Sequence, residues 1–473
     1  MRVAVVGAGM GGLAAAVRLT AAGHDVTVLE QGDTAGGKAG RWAQDGFCFD
    51  TGPSLLTMPW VFRELFADTG APLHEVVELV RVEPVTRYAF ADGSCFDMGA
   101  DLPAALEALE AWSPGAGSDW VRFLGTCAAM WRASVPFLGG PPPWPPRRPA
   151  AGAPAPDPRD FLRVRPWHTV STLARAHARD PRLRLVIERF ATYAGADPRR
   201  APAALAVAGY VEHAFGAWHV RGGIHRLVEA LDGRLRELGG ELRLQQRADA
   251  LILSGRRVAG VSTPAGPVAA DAVVWSGDAL ALDRLLGRPT RPAPERSLSG
   301  FALMLGLRGR TDGLAHHSIT FPADTGAEFD DVFAARRLVR DPTLYVSASC
   351  VSDPTQAPDG AENWFVLVNA PAGAPESEAD AYEAQLVQRL GVRGRIAVRG
   401  RRTPADLERE TGAVGGAIYG AAPHGRLGTL RRPGPVVRGV SGLFRAGGTA
   451  HPGGGLPLVA LSGRIVADLI GPP

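Results

Sequence analysis

The fold of this chain is decided by VAVVGAGMGG at residues 3–12. A short β-rich run, 3–6, leads into the glycines, and a helix-like run, 13–22, follows them. Residues 26–29 are β-rich again and are followed by Glu30. A strand, a glycine turn, a helix and a second strand closed by an acidic residue form the fingerprint of a dinucleotide-binding βαβ unit. The alternative is a glycine-rich turn that binds no ligand. Such a turn would not need the strand, helix, second strand and acidic residue that surround this one.

Each part of this turn has an expected role. Gly7 makes the tight turn, Gly9 admits a pyrophosphate, and Gly12 lets the helix pack closely on the strand. Ala8 and Gly11 complete the predicted binding turn. The backbone N–H groups and the positive end of the helix would then face the phosphates.

Two further residues are expected beside the adenosine half of the ligand. Glu30 would accept hydrogen bonds from the ribose hydroxyls, and it would repel a 2′-phosphate, which disfavours NADP. Ala248 begins a β-rich run over 248–253 and is a further candidate contact.

A second glycine cluster, GGTAHPGGG at residues 447–455, stands near the other end of the chain. It precedes a helix-like run over 456–470; a loop that only leads into a helix is the alternative. One ligand held from both ends must be long, and FAD meets that requirement. The helix N-terminus would stabilise the negative charge of reduced flavin near N1. The predicted contacts in this cluster are Gly447, Gly448, Gly454, Gly455 and Leu456.

Composition limits the remaining possibilities. The chain has 473 residues, of which 46% are hydrophobic and 21% charged, as is typical of a globular protein of more than one domain. A net charge of +3 argues against a nucleic-acid partner. The four cysteines are far apart and show no metal-binding spacing, so we expect no metal and a cytoplasmic chain with reduced thiols. Glycines break the apolar N-terminus, so we expect neither a signal peptide nor a membrane span.

The residues that follow Glu30 resemble a flavoprotein family. DTAGGKA at 33–39 and DTGP at 50–53 are similar to the flavin-containing oxidoreductases of the amine oxidase and phytoene desaturase superfamily, in which a Gly-Gly-Arg-like turn lies along the cofactor. Lys38, the only lysine among 51 basic residues, replaces the usual arginine and keeps its charge but not its bidentate hydrogen bonding. We expect Arg41 to compensate. The resemblance implies contacts to FAD from Gly36, Gly37, Lys38, Arg41, Gly52 and Pro53.

Later segments narrow the resemblance to the bacterial phytoene desaturases. These segments are AWHVRGG at 217–223, AVVWSGD at 272–278, HHSI at 316–319 and HPGGGLP at 451–457. The similarity runs from residue 1 to about 470 and is weakest over 85–200. GGGLPL at 453–458 and LSG at 461–463 look more like the hydroxycarotenoid 3,4-desaturase (methoxyneurosporene dehydrogenase) branch.

The resemblance and the order of β-rich runs imply an α/β fold with two domains. The first is a Rossmann-like FAD-binding domain of the glutathione-reductase type, assembled from residues 1–75, 215–290 and 435–473. The second is an inserted mixed α+β substrate domain, residues 76–214 and 291–434. A substrate cavity between two such domains is a common arrangement.

The resemblance also implies a reaction, the FAD-dependent desaturation of an acyclic carotenoid. A hydride goes to flavin N5, a proton is lost and a C=C bond is added to the polyene. The branch favours 3,4-desaturation of a 1-hydroxy- or methoxy-carotenoid, with oxygen or a quinone as electron acceptor. The alternatives are a phytoene or neurosporene desaturase of the same family, a flavin amine oxidase, and a lipid-escort protein that keeps the FAD fold. Amine oxidases usually place a lysine near flavin N5, whereas Lys38 lies in the N-terminal cofactor loop.

Three histidines are candidates for the base that takes the proton: His316, His317 and His451. Histidine is the side chain most often used for proton transfer near neutral pH. For the adjacent pair, a structural hydrogen-bonding role at the start of a strand is the alternative, because the sequence shows no orienting partner.

Aromatic and basic residues are interleaved through the least similar part of the chain. Five of the ten tryptophans fall between residues 112 and 167, among arginines, and 139–158 is rich in proline. Aromatic rings beside cations suit the lipid headgroup region, and a carotenoid is dissolved in lipid. We therefore expect peripheral association with the inner face of the cell membrane; a helical core followed by an ordinary exposed linker is the alternative.

Overall fold

The computed structural model of the protein describes residues 1–140, 142, 158–288 and 295–473. Most of the proline-rich segment expected to contact a membrane therefore lies outside the described residues. The strands are β1 Arg2–Val6, β2 Asp25–Leu29, β3 Arg41–Gln44, β4 Phe47–Asp50, β5 Leu79–Arg81, β6 Thr86–Ala89, β7 Cys95–Met98, β8 Trp218–Val220, β9 Glu241–Arg243, β10 Ala250–Ser254, β11 Arg257–Thr263, β12 Gly266–Ala269, β13 Ala272–Trp275, β14 Ser299–Arg308, β15 His317–Thr320, β16 Leu344–Ser347, β17 Ala361–Ala370, β18 Ile396–Arg402 and β19 Leu443–Arg445.

The α-helices are α1 Met10–Ala21, α2 Trp60–Asp68, α3 Leu102–Trp112, α4 Ala116–Leu138, α5 Pro158–Arg163, α6 Val170–His177, α7 Pro181–Arg189, α8 Val207–Phe215, α9 His225–Glu237, α10 Ala279–Leu285, α11 Thr325–Phe329, α12 Ala379–Leu390, α13 Pro404–Thr411 and α14 Leu456–Ile470. Short 3₁₀ turns connect several of them, and Asp330–Ala335 is π-helical. Within the described ranges, no helix has both the length and the apolar character needed to cross a bilayer.

A five-stranded parallel sheet brings together the beginning, middle and end of the chain. Its order is β19-β13-β1-β2-β9. The register pairs Val3 of β1 with Val26 on one side and with Ala272 on the other. β1 is apolar and buried from Val3 to Val6, as a central parallel strand covered on both faces must be. The Rossmann-like α/β fold expected from the sequence is confirmed, while the domain boundaries stay a prediction.

Helix α1 begins earlier than the run 13–22 predicted. The Leu13 N–H donates to the Gly9 carbonyl over 3.0 Å, so the first helical turn already includes the glycines before it. A Cβ at Gly12 would overlap the Gly7 carbonyl oxygen. Glycine at this position therefore allows the helix to start directly against the end of β1, where the sequence pattern suggested only a turn.

The two glycine clusters lie against each other. A Cβ added to Gly11 in α1 would lie 2.8 Å from Gly447 Cα. One added to Gly463 in α14 would lie 2.9 Å from the Gly11 carbonyl oxygen. Neither separation leaves room for a side chain, so α1 and α14 pack backbone to backbone beside the sheet.

A seven-stranded sheet forms the second layer, in the order β18-β14-β17-β16-β15-β6-β7. Its pairings are antiparallel except for the parallel pair β15 and β6. The long central strands β14 and β17 are mostly buried. They pair along their whole length, from Ser299 opposite Ala370 to Arg308 opposite Ala361. Helices α3, α4, α6, α7 and α8 share one hydrophobic core with β1 and α1. Residues of this mixed α+β part line one side of the cavity that opens beside the parallel sheet.

Candidate cofactor and substrate site

A cavity of about 1250 Å³ opens where the parallel strands end. Gly7, Glu30, Ser276 and Gly447 lie at or just beyond the carboxyl ends of strands of the five-stranded sheet, and all four line the cavity. Ligands of open α/β sheets bind at this edge. The volume exceeds the roughly 300–1000 Å³ usual for one drug-sized ligand, so a long cofactor and part of a second molecule can fit.

Most residues predicted to contact the cofactor line this cavity: Gly7, Gly9, Gly11, Glu30, Gly36, Gly37, Lys38, Gly52, Pro53, Ala248, Gly447, Gly448, Gly454, Gly455 and Leu456. Ala8, Gly12 and Arg41 are not among the lining residues. Ala8 and Gly12 act on the shape of the turn, because the Ala8 N–H is bound by Glu30 and Gly12 packs on Gly7.

Glu30 is held by two backbone donors. Its Oε2 accepts the Ala8 N–H at 2.7 Å and its Oε1 accepts the Gly32 N–H at 2.9 Å. The side chain is buried at the cavity wall. Each carboxylate oxygen has a further lone pair, so Glu30 can also accept hydroxyl hydrogens from a ligand. The Gln246 N–H donates to the Glu30 carbonyl at 2.7 Å, and Ala248 lines the cavity two residues later.

Lys38 lies in the predicted cofactor turn. Its ammonium donates to the carbonyl oxygens of Ala417 at 3.3 Å and Ile418 at 2.6 Å. Burial lowers the pKa of Lys38 to about 8, against the opposing effect of the Asp278 carboxylate. An ammonium has three N–H donors, so one is left for an anion in the cavity.

Arg41 is not brought to this place, contrary to expectation. Its guanidinium donates to Cys48 Sγ at 3.2 Å across the β3–β4 hairpin, because Arg41 lies on the strand and not in the turn. Arg402 on β18 lines the cavity instead, donates to the Thr51 carbonyl at 2.8 Å and acts electrostatically on Lys38. No local sequence signal could have identified Arg402, since β18 reaches the cofactor loop only in the folded chain.

Two glycines test whether the cavity fits an extended cofactor. A Cβ at Gly9 would meet only the Gly36 carbonyl oxygen, at 4.0 Å, and a Cβ at Gly455 would meet nothing within 4 Å. Protein packing therefore leaves the space in front of both backbones open. Gly455 also has φ of 97°, which L-residues rarely adopt. It precedes the N-terminus of α14, and a cofactor approaching both backbones fits this cradle.

The adjacent histidines differ in location. His316 does not line the cavity, and its Nδ1 is hydrogen-bonded to Ser352 Oγ at 2.7 Å. His317 lines the cavity, with its Nδ1 hydrogen-bonded to the Tyr345 hydroxyl at 2.9 Å. Burial, assisted by the charge of Arg189, lowers the pKa of His317 to about 3. His317 is therefore neutral, and its Nδ1 is already paired while its Nε2 is fully buried, so neither nitrogen is open to a ligand.

His451 has the geometry of an oriented base. Its Nε2 lies 2.8 Å from the Phe137 carbonyl oxygen and 3.1 Å from that of Gly140. Carbonyl oxygens only accept, so Nε2 carries the hydrogen and Nδ1 keeps the lone pair of the neutral ring. Burial lowers the pKa of His451, and the ring lines the cavity. The orienting partners lie at the end of α4, more than 300 residues away, and were not visible in the sequence.

A charged cluster in the cavity wall was also missed. Arg189 and Glu212 line the cavity at their positions on α7 and α8. Burial raises the pKa of the Glu212 carboxyl, against the opposing effect of Arg189. The only sequence signal was spacing: Arg189 follows Leu185 by four residues and Glu212 follows Ala208 by four, so each charge continues a cavity-facing stripe of its helix.

Comparison with known proteins agrees with this geometry. The family model for flavin containing amine oxidoreductases matches residues 10–471. The chain is 36% identical to the hydroxyneurosporene desaturase of Rubrivivax gelatinosus, over 99% of this chain and 93% of that protein. The chain belongs to the bacterial carotenoid desaturases of the flavin-containing amine oxidoreductase family.

One further relative and one solved structure extend the comparison. The 4,4'-diapolycopene oxygenase of a Methylomonas species is 33% identical, over 99% of this chain and 98% of that protein. An oxidoreductase from Methanosarcina mazei has the same fold, with a TM-score of 0.66 and 18% identity over 99% of this chain and 100% of that one. As a member of this family, the protein is an FAD-dependent oxidoreductase. FAD suits the cradle in three respects. Its ribose needs an acceptor for hydroxyl hydrogens, its pyrophosphate needs backbone N–H groups close by, and its flavin is stabilised by a helix N-terminus.

Proposed function

We propose that this protein introduces a C=C bond into an acyclic carotenoid, at the 3,4 position of a 1-hydroxy- or methoxy-carotenoid. The observation that carries the proposal is that the residues of the cofactor cradle line the same large, mostly apolar cavity, of about 1250 Å³. Its apolar lining includes Leu185, Phe190, Val211, Ile319, Phe365 and Leu367. A polyene offers few polar groups, so shape and apolar contact must hold it. The identity with a hydroxyneurosporene desaturase supports the hydroxylated substrate.

The cofactor contacts are part of this proposal. Glu30 would bind the ribose, the glycines at the start of α1 would lie against the pyrophosphate, and Lys38 would supply a positive charge to it. The open space in front of Gly9 and Gly455 and the free donor of Lys38 support these roles. The first turn of α14 would face the flavin.

Bound FAD supplies the hydride acceptor of the reaction. The chain's own residues must seat the polyene, exclude water and take the proton from the carbon next to the one that loses hydride. We propose His451 for the proton, because Nδ1 of its neutral ring is the acceptor and two carbonyls fix the ring. The conjugated chain spreads the positive charge of the substrate, so a weak base is sufficient.

An amine oxidase is the less supported alternative. The cavity is lined mostly by apolar side chains, and the only lysine donates to two backbone carbonyls beside the cofactor loop. Oxygenation of the carotenoid is a second alternative, because one relative is named as an oxygenase. Product mass separates the two reactions, because desaturation removes two hydrogens while oxygenation adds an oxygen atom.

The test uses the purified FAD-loaded protein with a 1-hydroxylated acyclic carotenoid in lipid vesicles. We expect a product that is two hydrogens lighter and absorbs at longer wavelength, with oxygen uptake and quinone reduction followed side by side to identify the electron acceptor. A matched reaction with phytoene distinguishes a hydroxycarotenoid desaturase from a phytoene desaturase. A reaction with an amine tests for amine oxidase activity. A product that gains oxygen, or turnover of the amine alone, would refute the desaturase proposal.

Membrane association is proposed on the surface around α5. Val164 and Pro166 line the cavity, while Leu162 and Trp167 are 57% and 48% exposed. Exposed apolar side chains beside a cavity wall would let a lipid-dissolved substrate enter without crossing water. We expect the double variant Leu162→Ser with Trp167→Ser to float less with liposomes while keeping its FAD; equal flotation would argue against this surface.

A further inference from the structure

A buried polar cluster interrupts the apolar wall of the cavity. Arg189 donates to the Tyr88 hydroxyl at 2.6 Å and to the Tyr193 hydroxyl. The Tyr193 hydroxyl donates to Glu212 Oε1 at 2.7 Å, and the guanidinium lies 4.0 Å from the same oxygen. The side chains of Arg189 and Glu212 are only 8% and 6% exposed.

Three of these side chains face the cavity: Arg189, Tyr193 and Glu212. No described residue donates a hydrogen bond to Glu212 Oε2, and none accepts one from Arg189 Nε. Burying a charged pair is costly unless its remaining lone pairs and N–H groups are also bound. A wall that served only a hydrocarbon would gain nothing from this pair, whereas a ligand with a polar group could bind the two open positions.

The cluster lies close to the cofactor end of the cavity. The Tyr345 hydroxyl is 2.5 Å from Ser54 Oγ, directly after the Gly52-Pro53 turn, and is also bonded to His317. The charge of Arg189 acts on both Tyr345 and His317. In a 1-hydroxycarotenoid, only two bonds separate the hydroxylated carbon from C3. A group that binds this hydroxyl must therefore lie near the reacting bond. Arg189 acts on His317 and Tyr345, and the Tyr345 hydroxyl contacts the cofactor loop at Ser54.

We propose that Arg189, Tyr193 and Glu212 bind the C1 hydroxyl of the carotenoid and make the protein prefer a hydroxylated polyene to a hydrocarbon one. Glu212 Oε2 accepts the hydroxyl hydrogen, and the Arg189 guanidinium donates to the hydroxyl oxygen. Tyr193 is a positioning residue, because its hydroxyl links the other two. A methoxy group can accept but not donate, so it should bind between the hydroxyl and the hydrocarbon. The inference rests on the proposed carotenoid substrate.

The test measures binding, so that it does not depend on turnover. The FAD-loaded protein is titrated in detergent micelles with a 1-hydroxylated acyclic carotenoid and with the hydrocarbon of the same conjugated length, and tryptophan quenching gives both Kd values. We expect a preference of about 10- to 100-fold for the hydroxylated compound, the effect of a hydrogen bond to a charged group. The combined variant Arg189→Met with Glu212→Leu should abolish the preference, because it should weaken the binding of the hydroxylated carotenoid and leave that of the hydrocarbon unchanged.

Two further variants make the result specific. Tyr193→Phe removes one hydroxyl and should reduce the preference even if the combined variant does not fold. Tyr382→Phe is the matched control: its buried hydroxyl donates to the Val339 carbonyl at 2.9 Å outside the cavity lining, so the preference should not change. FAD content and thermal unfolding confirm that each variant is folded.

The outcomes separate this inference from the proposed reaction. Equal Kd values for both carotenoids in the wild type, or equal loss of both in the variants, would overturn the recognition role even if desaturation occurs. A preference that disappears with the cluster, without any desaturated product, would support the recognition role and refute the reaction.

Discussion

Replacing Gly9 by alanine should separate cofactor binding from folding. Gly9 has φ of −71° and ψ of 171°, which alanine adopts without strain. Its Cβ would meet only the Gly36 carbonyl oxygen, at 4.0 Å, so no protein atom has to move. The methyl group would instead enter the cavity at the proposed pyrophosphate site. We expect the cofactor-free protein to keep its unfolding free energy within about 0.5 kcal/mol.

The Gly9→Ala substitution should instead weaken the binding of FAD. Inserting a methyl group into a close-packed contact costs about 1–3 kcal/mol, which raises the Kd roughly 5- to 150-fold. FAD is removed from the purified protein, and the Kd is measured by quenching of flavin fluorescence. Thermal unfolding of the cofactor-free protein is recorded in parallel.

Two matched variants decide the interpretation. Gly233→Ala lies in α9, where a Cβ meets nothing within 4 Å, and should leave the FAD affinity unchanged while stabilising the helix by about 0.5–1 kcal/mol. Gly12→Ala would overlap the Gly7 carbonyl oxygen and should destabilise the cofactor-free protein itself. Wild-type FAD affinity in Gly9→Ala, or a loss of stability like that of Gly12→Ala, would refute the reasoning.

Three further predictions concern charge and proton transfer. In the cofactor-free protein the Lys38 ammonium loses its proton as pH rises through about 8; if the charged form binds the pyrophosphate, the FAD affinity should fall up to about tenfold per pH unit above that value. In Lys38→Arg the FAD affinity should vary little between roughly pH 7 and 10, because arginine stays charged. An FAD affinity of the wild type that does not change with pH would contradict the role of the Lys38 charge. Glu30→Gln should raise the Kd for FAD about 10- to 100-fold through loss of a charged acceptor, as seen in the flavin absorbance of purified protein; full flavin content at low FAD would argue against the ribose role. His451→Gln should lower kcat about 10²- to 10⁴-fold with FAD content unchanged, and unchanged single-turnover flavin reduction would exclude His451 as the base.

The N-terminal half-site could be predicted well because its information is local. A strand, a turn, a helix and a second strand lie within about thirty residues, and the glycine spacing follows from the close approach of a backbone to phosphate. Glu30 and Lys38 belong to the same continuous stretch and line the cavity as expected. Arg41 was misjudged because the hairpin that removes it from the cavity is formed by pairing with β4, which spacing alone does not describe.

The reactive end of the site could not be predicted in the same way. His451 is oriented by carbonyls at the end of α4, and Arg189 meets Glu212 through Tyr193 from different helices. Helical spacing relates Arg189 to Leu185 on α7 and Glu212 to Ala208 on α8, but it does not show which other groups the charges meet. Contacts of this kind depend on how the layers pack.

The sequence by itself determined the dinucleotide-binding βαβ unit, the long cofactor implied by glycine clusters at both ends, and the resemblance to carotenoid desaturases. Only the tertiary structure decided that these clusters touch at Gly11 and Gly447, that His451 keeps its lone pair on Nδ1, and that a buried ion pair interrupts an apolar cavity. The physical reason is range. Local backbone geometry is encoded in spacing over a few residues, whereas the burial and partners of a side chain are set by packing between segments hundreds of residues apart.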